Sequence, residues 1–86
     1  MIIKFHKKFK KRYQKLSAKL ELEVDSQLRL FLSNPLEKSL RNHALKGKCF
    51  GYRSIDITGD YRAIFRELDA NMYLFVYVGT HSELYN

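Results

Sequence analysis

The 86-residue chain carries 16 Lys+Arg against 9 Asp+Glu, a formal charge of +7 at pH 7, with 45% apolar and 14% aromatic side chains. That composition excludes a disordered chain, the length excludes more than one domain (residues 1–86), and the basic excess points to a polyanion as ligand or partner. A chain of this size buries only roughly 60–65% of its unfolded surface, so the core is thin and a bound partner adds to its stability.

In chain order, Met1 to Phe5 reads as a short strand. Phe5, Phe9, Tyr13, Leu16 and Leu20 then recur at helical spacing, which predicts an apolar stripe, and the opposite face holds Lys7, Lys8, Lys10, Lys11, Arg12 and Lys15. Ser17 is the N-cap expected for a second helix, with Glu21, Glu23 and Asp25 near the positive end of its dipole. Val24, Leu28, Phe31 and Leu32 continue the buried stripe, and Asn34-Pro35 ends it because the residue before proline is pushed out of the α region. Leu36 to Phe50 has no sustained period and reads as a basic loop broken at Gly47. From Tyr52 to Ile57 the pattern alternates, with Arg53, Ile55 and Ile57 on one face and Tyr52, Ser54 and Asp56 on the other. Thr58-Gly59 marks a tight turn, Asp60 to Glu67 the next strand, and Met72 to Gly79 an apolar strand suited to the middle of a sheet. Thr80 to Asn86 is a short tail. The order β-α-α-β-β-β predicts an α+β domain, a twisted antiparallel sheet with a two-helix hairpin packed on one face.

Charge falls in blocks: eight basic groups and no acid over residues 1–19, a net −3 over 20–37, +5 over 38–53 and −3 over 54–86. Cys49 is the single cysteine, so an intrachain disulfide and a Cys-based zinc site are both excluded. The longest apolar run, Met72 to Val78, is far below the ~18 residues that span a bilayer. No secretory signal is recognisable after Met1-Ile2-Ile3-Lys4, and a cytoplasmic location is the expectation.

The side chains suited to chemistry on a nucleic acid are His43 with the lysines after it (Lys46, Lys48), Arg53, Asp60 with Arg62, His81 and Tyr85. If the strands around Asp60 and His81 pair, the open sheet gathers imidazoles, a carboxylate, cations and a tyrosine ring. Such a set meets the needs of RNA cleavage by in-line attack of a 2′-hydroxyl: a base for its proton, an acid for the leaving 5′-oxygen, and cations for the phosphorane-like transition state. Histidine serves as either acid or base near neutral pH, and no metal or other cofactor is required. Tyr61 or Tyr85 would stack on a splayed base. Each residue taken singly also has a plainer reading: turn-capping for Asp60, a capping or surface histidine at 43 or 81, a surface histidine at 6, and a solvated helix face for the lysines of residues 7–15.

The sequence His43-Ala-Leu-Lys-Gly47, then Gly51-Tyr52-Arg53, Asp60-Tyr61-Arg62-Ala63-Ile64-Phe65 and Val78-Gly79-Thr80-His81-Ser82-Glu83-Leu84-Tyr85 resembles toxins of the RelE/ParE superfamily, in particular the YafQ-like mRNA interferases of bacterial type II toxin–antitoxin modules. The likeness covers nearly the whole chain. It implies a small toxin that cleaves mRNA in the ribosomal A site and is silenced by a cognate acidic antitoxin. It also implies a catalytic set of His43, Asp60 and His81, with His81 as the general acid, a phosphate contact from Arg62 and a site aromatic at Tyr85; Lys46, Lys48, Arg53 and Tyr61 are the further RNA contacts expected from their charge and rings. One departure concerns the second strand, where a histidine that such proteins can carry is Asp56 here: either Asp56 and Asp60 share a pocket and repulsion raises one carboxyl, or Asp56 is a surface residue and the catalytic set is His43, Asp60 and His81 alone. Two other functions fit the same fold, a ParE-like inhibitor of DNA gyrase and a non-catalytic RNA-binding module.

Overall fold

A computed structural model describes residues 1–84. The elements run β1 (Ile2–Phe5), α1 (Lys7–Gln14), α2 (Ala18–Ser33), β2 (His43–Ala44), β3 (Arg53–Thr58), β4 (Tyr61–Asp69), β5 (Met72–Thr80) and α3 (His81–Leu84), with single 3-10 turns at Lys38–Leu40 and Gly47–Cys49. Ser17 caps α2 as its type predicts, its hydroxyl accepting from the Leu20 N–H at 3.2 Å, and α2 stops at Ser33 before Asn34-Pro35. The first apolar stripe is divided between two helices. Lys15 and Leu16 turn back onto the carbonyls of Arg12 and Tyr13, closing α1, so that Leu20 belongs to α2. Leu32 is 47% exposed and drops out of the buried stripe, which Val24 and Phe31 carry with no exposure at all.

The α+β class stands, but the sheet gains a strand and is not wholly antiparallel as the element order predicted. It has five strands in the order β1-β5-β4-β3-β2, and it is mixed: β1 runs parallel to β5, Ile2 opposite Met72 and Phe5 opposite Phe75. Parallel neighbours need a crossover, here the two helices and the strands that follow, so this contact joins the two ends of the chain. The fifth strand is β2, two residues of the basic loop that pair antiparallel with β3, His43 opposite Ser54. The tail supplies the short helix α3.

The helices cover one face. Phe9, Val24 and Phe31 pack there against Ile55, Ile57, Phe65, Phe75 and Val78, all buried. The alternation of β3 is kept, so Ser54 and Asp56 stand on the other face beside Ile64 and Arg62 of β4. Opposite Ile64 and Phe65, the register of β5 slips past Val76, a bulge that leaves Tyr77 and Gly79 in line with Ile64 and Arg62 on the open face. Arg53, in contrast, shares its side of β3 with the core residues.

Candidate functional site

The open face carries the polar groups, and they are linked in series from one edge of the sheet to the other end of the chain. His43 on β2 is exposed, and its Nδ1 lies 2.7 Å from the carbonyl of Arg41. The Arg41 side chain reaches Asp56 of β3, Nε to Oδ2 3.4 Å. The other oxygen of Asp56 is held by Arg62 of β4 at 3.1 Å. Arg62 Nη1 donates in turn to the carbonyls of Gly59 and Tyr61, at 3.0 and 3.1 Å, strapping the β3–β4 turn. Gly59 at φ +52 makes that turn, and Asp60 sits within it, immediately before β4 rather than at its start. The Asp60 carbonyl accepts from the backbone N–H of His81 at 2.9 Å.

Asp60 and His81 are therefore brought together, because β4 and β5 are neighbours and Tyr61 faces Thr80. His43 is not beside them. It lies on β2, separated from β5 by β3 and β4, roughly 14 Å across the sheet at ~4.8 Å per strand. The two oxygens of Asp56 face Arg62 and Arg41, so the carboxylate stands between cations.

His81 opens α3, whose first turn is fixed by a reciprocal cap. The Glu83 carboxylate accepts from the Thr80 N–H at 2.8 Å and the Thr80 hydroxyl at 3.0 Å, while the Thr80 hydroxyl accepts from the Glu83 N–H. From α1, Arg12 reaches the same place: Nη2 lies 2.8 Å from Glu83, Nε donates to the Val78 carbonyl at 2.7 Å, and the guanidinium stacks 4.3 Å from the Tyr77 ring centre. The Thr80 backbone N–H, then Arg12 and the Thr80 hydroxyl, pull the Glu83 carboxyl down to about 2, so it is ionised throughout the neutral range. Gly79 makes room for this clamp, since a Cβ there would stand 2.7 Å from Arg12 Nη2.

Several residues expected at an RNA surface have other employment. The Arg53 guanidinium donates to the Asn42 side chain at 2.8 Å and so ties the loop before His43, in place of an open contact with substrate. Arg62 is committed to Asp56 and the turn, with 19% of its side chain exposed. Tyr61 packs against the core beneath the helices, which removes it from base stacking. Tyr85 lies outside the described residues. Lys46 and Lys48 are exposed on the loop, as a solvated basic surface requires.

Two residues were missed. Phe50, 84% exposed beside those lysines, presents the ring that Tyr61 does not, and its signal was an aromatic between two glycines, Gly47 and Gly51, in a basic stretch. Arg41 joins His43 to Asp56 through a backbone conformation that nothing in its residue type announces. Among the described residues, no three His, Cys, Asp or Glu side chains gather to hold a metal ion, and no helix is long and apolar enough to cross a membrane.

Comparison with known proteins places this geometry. YafQ from E. coli strain BL21(DE3) superposes with a TM-score of 0.78 at 25% identity, over 98% of this chain and 97% of that one. A YoeB/ParE toxin from Agrobacterium tumefaciens shares the fold with a TM-score of 0.77 at 20% identity, over 94% of this chain and 99% of that one. The E. coli DinJ–YafQ complex contains a chain of the same fold, TM-score 0.69 at 23% identity, over 98% of this chain and 97% of that one. No curated protein sequence matches. A family model for the YafQ bacterial toxin of type II toxin–antitoxin systems matches residues 1–86, from one end of the sequence to the other, and the chain belongs to that family of toxins.

Proposed function

We propose that this toxin is an endoribonuclease that cleaves mRNA on the ribosome through attack of a 2′-hydroxyl on the adjacent phosphate, by acid–base chemistry that needs no metal. The observation that supports the reading is the backbone hydrogen bond from His81 to Asp60, which holds the backbones of a histidine and an aspartate next to each other at one end of the sheet. In this reading His81 protonates the leaving 5′-oxygen. The 2′-proton goes to His43 or Asp60, and Lys46 and Lys48 neutralise phosphate charge. Phe50, exposed on the basic loop, offers a ring on which a splayed base would stack. The work belongs in the cytoplasm, where translating ribosomes are.

The same surface calls for a silencing partner. A cognate antitoxin would be acidic, folding on a toxin of net charge +7, its carboxylates meeting the lysines of α1 and of the His43 loop. Arg53 and Arg62 are already engaged within the chain, by Asn42 and Asp56.

The test is primer extension on translated mRNA. The wild type should cut, and His81→Ala should cut at least ~10²-fold less, the scale of a lost general acid. A folded His81→Ala protein with wild-type cleavage removes the assignment. Inhibition of purified gyrase in a supercoiling assay, without RNA cleavage, would support the ParE-like alternative; RNA binding with neither activity would support the plain binding module.

A further inference from the structure

Arg41 is the one non-glycine residue with positive φ among the described residues, at φ 49 and ψ 46. The left-handed region crowds the Cβ of an L-residue, and arginine is not among the side chains that visit it readily. Such strain persists where the surroundings over-determine it. Here they do so from both sides. Leu40, the preceding residue, is fully buried, and the Arg41 N–H closes a 3-10 turn onto Lys38 at 3.1 Å. Asn42, the following residue, donates to the Pro35 carbonyl at 3.0 Å and accepts from Arg53 at 2.8 Å.

The product of that strained link is the direction of one carbonyl. It meets His43 Nδ1 at 2.7 Å, and a carbonyl can only accept, so Nδ1 carries the hydrogen. In the neutral ring, Nε2 is then left as the proton acceptor on an exposed side chain. The Arg41 side chain contributes far less: it is 74% exposed and its contact with Asp56 is 3.4 Å long, a geometry whose attraction solvent largely screens.

We propose that Arg41 is the positioning residue of His43, acting through its left-handed backbone rather than its guanidinium: the conformation turns the Arg41 carbonyl onto Nδ1 and so fixes the tautomer that presents Nε2 to substrate. The inference rests on the reading of His43 as part of the nuclease site, and it adds a group that works on the imidazole without touching RNA.

Arg41→Gly and Arg41→Val separate backbone from side chain. Both delete the guanidinium, but only glycine accepts the left-handed region, and the β-branched valine resists it most. Arg41→Thr, also branched at Cβ, takes its place in case valine prevents folding. Nitrogen NMR of the neutral His43 ring should show a protonated Nδ1 in the wild type and in Arg41→Gly, and loss of that preference in Arg41→Val and Arg41→Thr. Cleavage of translated mRNA should be kept by Arg41→Gly. It should fall toward the level of His43→Ala in Arg41→Val, by up to ~10²-fold. A protonated Nδ1 retained in folded Arg41→Thr or Arg41→Val overturns the proposal. So does an Arg41→Gly protein that loses cleavage with its imidazole unchanged, since the guanidinium would then be what matters. A wild type with fixed tautomer but no cleavage supports the positioning and overturns the nuclease reading instead, so the two failures are told apart.

Discussion

On the helix-packed face of the sheet Phe31, Phe65 and Phe75 meet with ring centres 4.9 to 5.3 Å apart and almost no exposure, whereas on the open face one carboxylate, Asp56, is spanned by two arginines that also hold a loop and a turn. The first arrangement is non-directional apolar burial, in which any side chain of the right volume fits. The second is directional, and each member fixes the orientation of its neighbour. A thin core supplies the stability while the polar face spends its groups on placing His43 and His81. The difference implies that substitutions on the packed face act chiefly on folding and those on the open face chiefly on activity.

The largest break is on the packed side. Phe31→Ala removes the ring at the centre of the aromatic cluster, at a cost of about 3–5 kcal/mol, against a total of ~5–15 kcal/mol for a small domain. Urea or thermal unfolding should show a protein near the edge of stability, with activity lost only as the unfolded fraction grows. Next in size is Gly79→Ala on the open face, where the added methyl would stand 2.7 Å from Arg12 and 3.0 Å from Glu83. The clamp must shift, for about 1–3 kcal/mol. Because α3 carries His81, cleavage should fall in protein that is still folded at the assay temperature. Unchanged cleavage would mean that Arg12 and Glu83 hold the tail for stability alone.

A smaller effect belongs to the cationic face of α1. If Lys8, Lys11 and Lys15 meet phosphates, reversing them to Glu should flatten the salt dependence of RNA binding, by ~0.7 in log–log slope for each phosphate no longer neutralised. An unaltered slope returns them to solvated surface, and unfolding should barely notice the change.

Legibility followed the same division. The stripe of Val24 and Phe31, the Ser17 cap, the stop at Asn34-Pro35 and the alternation of β3 are local patterns, and all four stand in the structure. The pairing of β1 with β5 joins residues some seventy positions apart and leaves no trace in either segment alone. β2 is too short for a period to form. The candidate site was legible only as a list of chemical types, and the backbone contact of Asp60 with His81 followed once β4 and β5 were adjacent. What could not be read was which cation serves which partner. Arg53 looks like a phosphate ligand until Asn42 is found beneath it, and Arg41 looks like solvated surface until its φ is known.

The smallest effect sharpens the comparison from the helix side, where one polar contact is set among the apolar ones. The Tyr13 hydroxyl donates to Asp25 at 2.8 Å, joining α1 to α2, and this hydrogen bond, with burial and the nearby Asp25 and Glu21 charges, pushes the phenol up to about 12. A phenol whose value is raised by folding contributes stability in full below its unfolded value near 10 and loses it as pH rises toward 12, because the folded state resists ionisation that the unfolded chain accepts. At neutral pH the single hydrogen bond to a carboxylate is worth about 1 kcal/mol, less whatever water recovers at its half-exposed site. Tyr13→Phe should therefore lower the midpoint of urea unfolding only slightly at pH 7 and weaken the decline above pH 10, leaving the part due to Tyr73 and Tyr77, whose phenols are also raised, chiefly by burial. An alkaline profile identical to wild type would show that the two helices are held by apolar contact alone, as the rest of that face is.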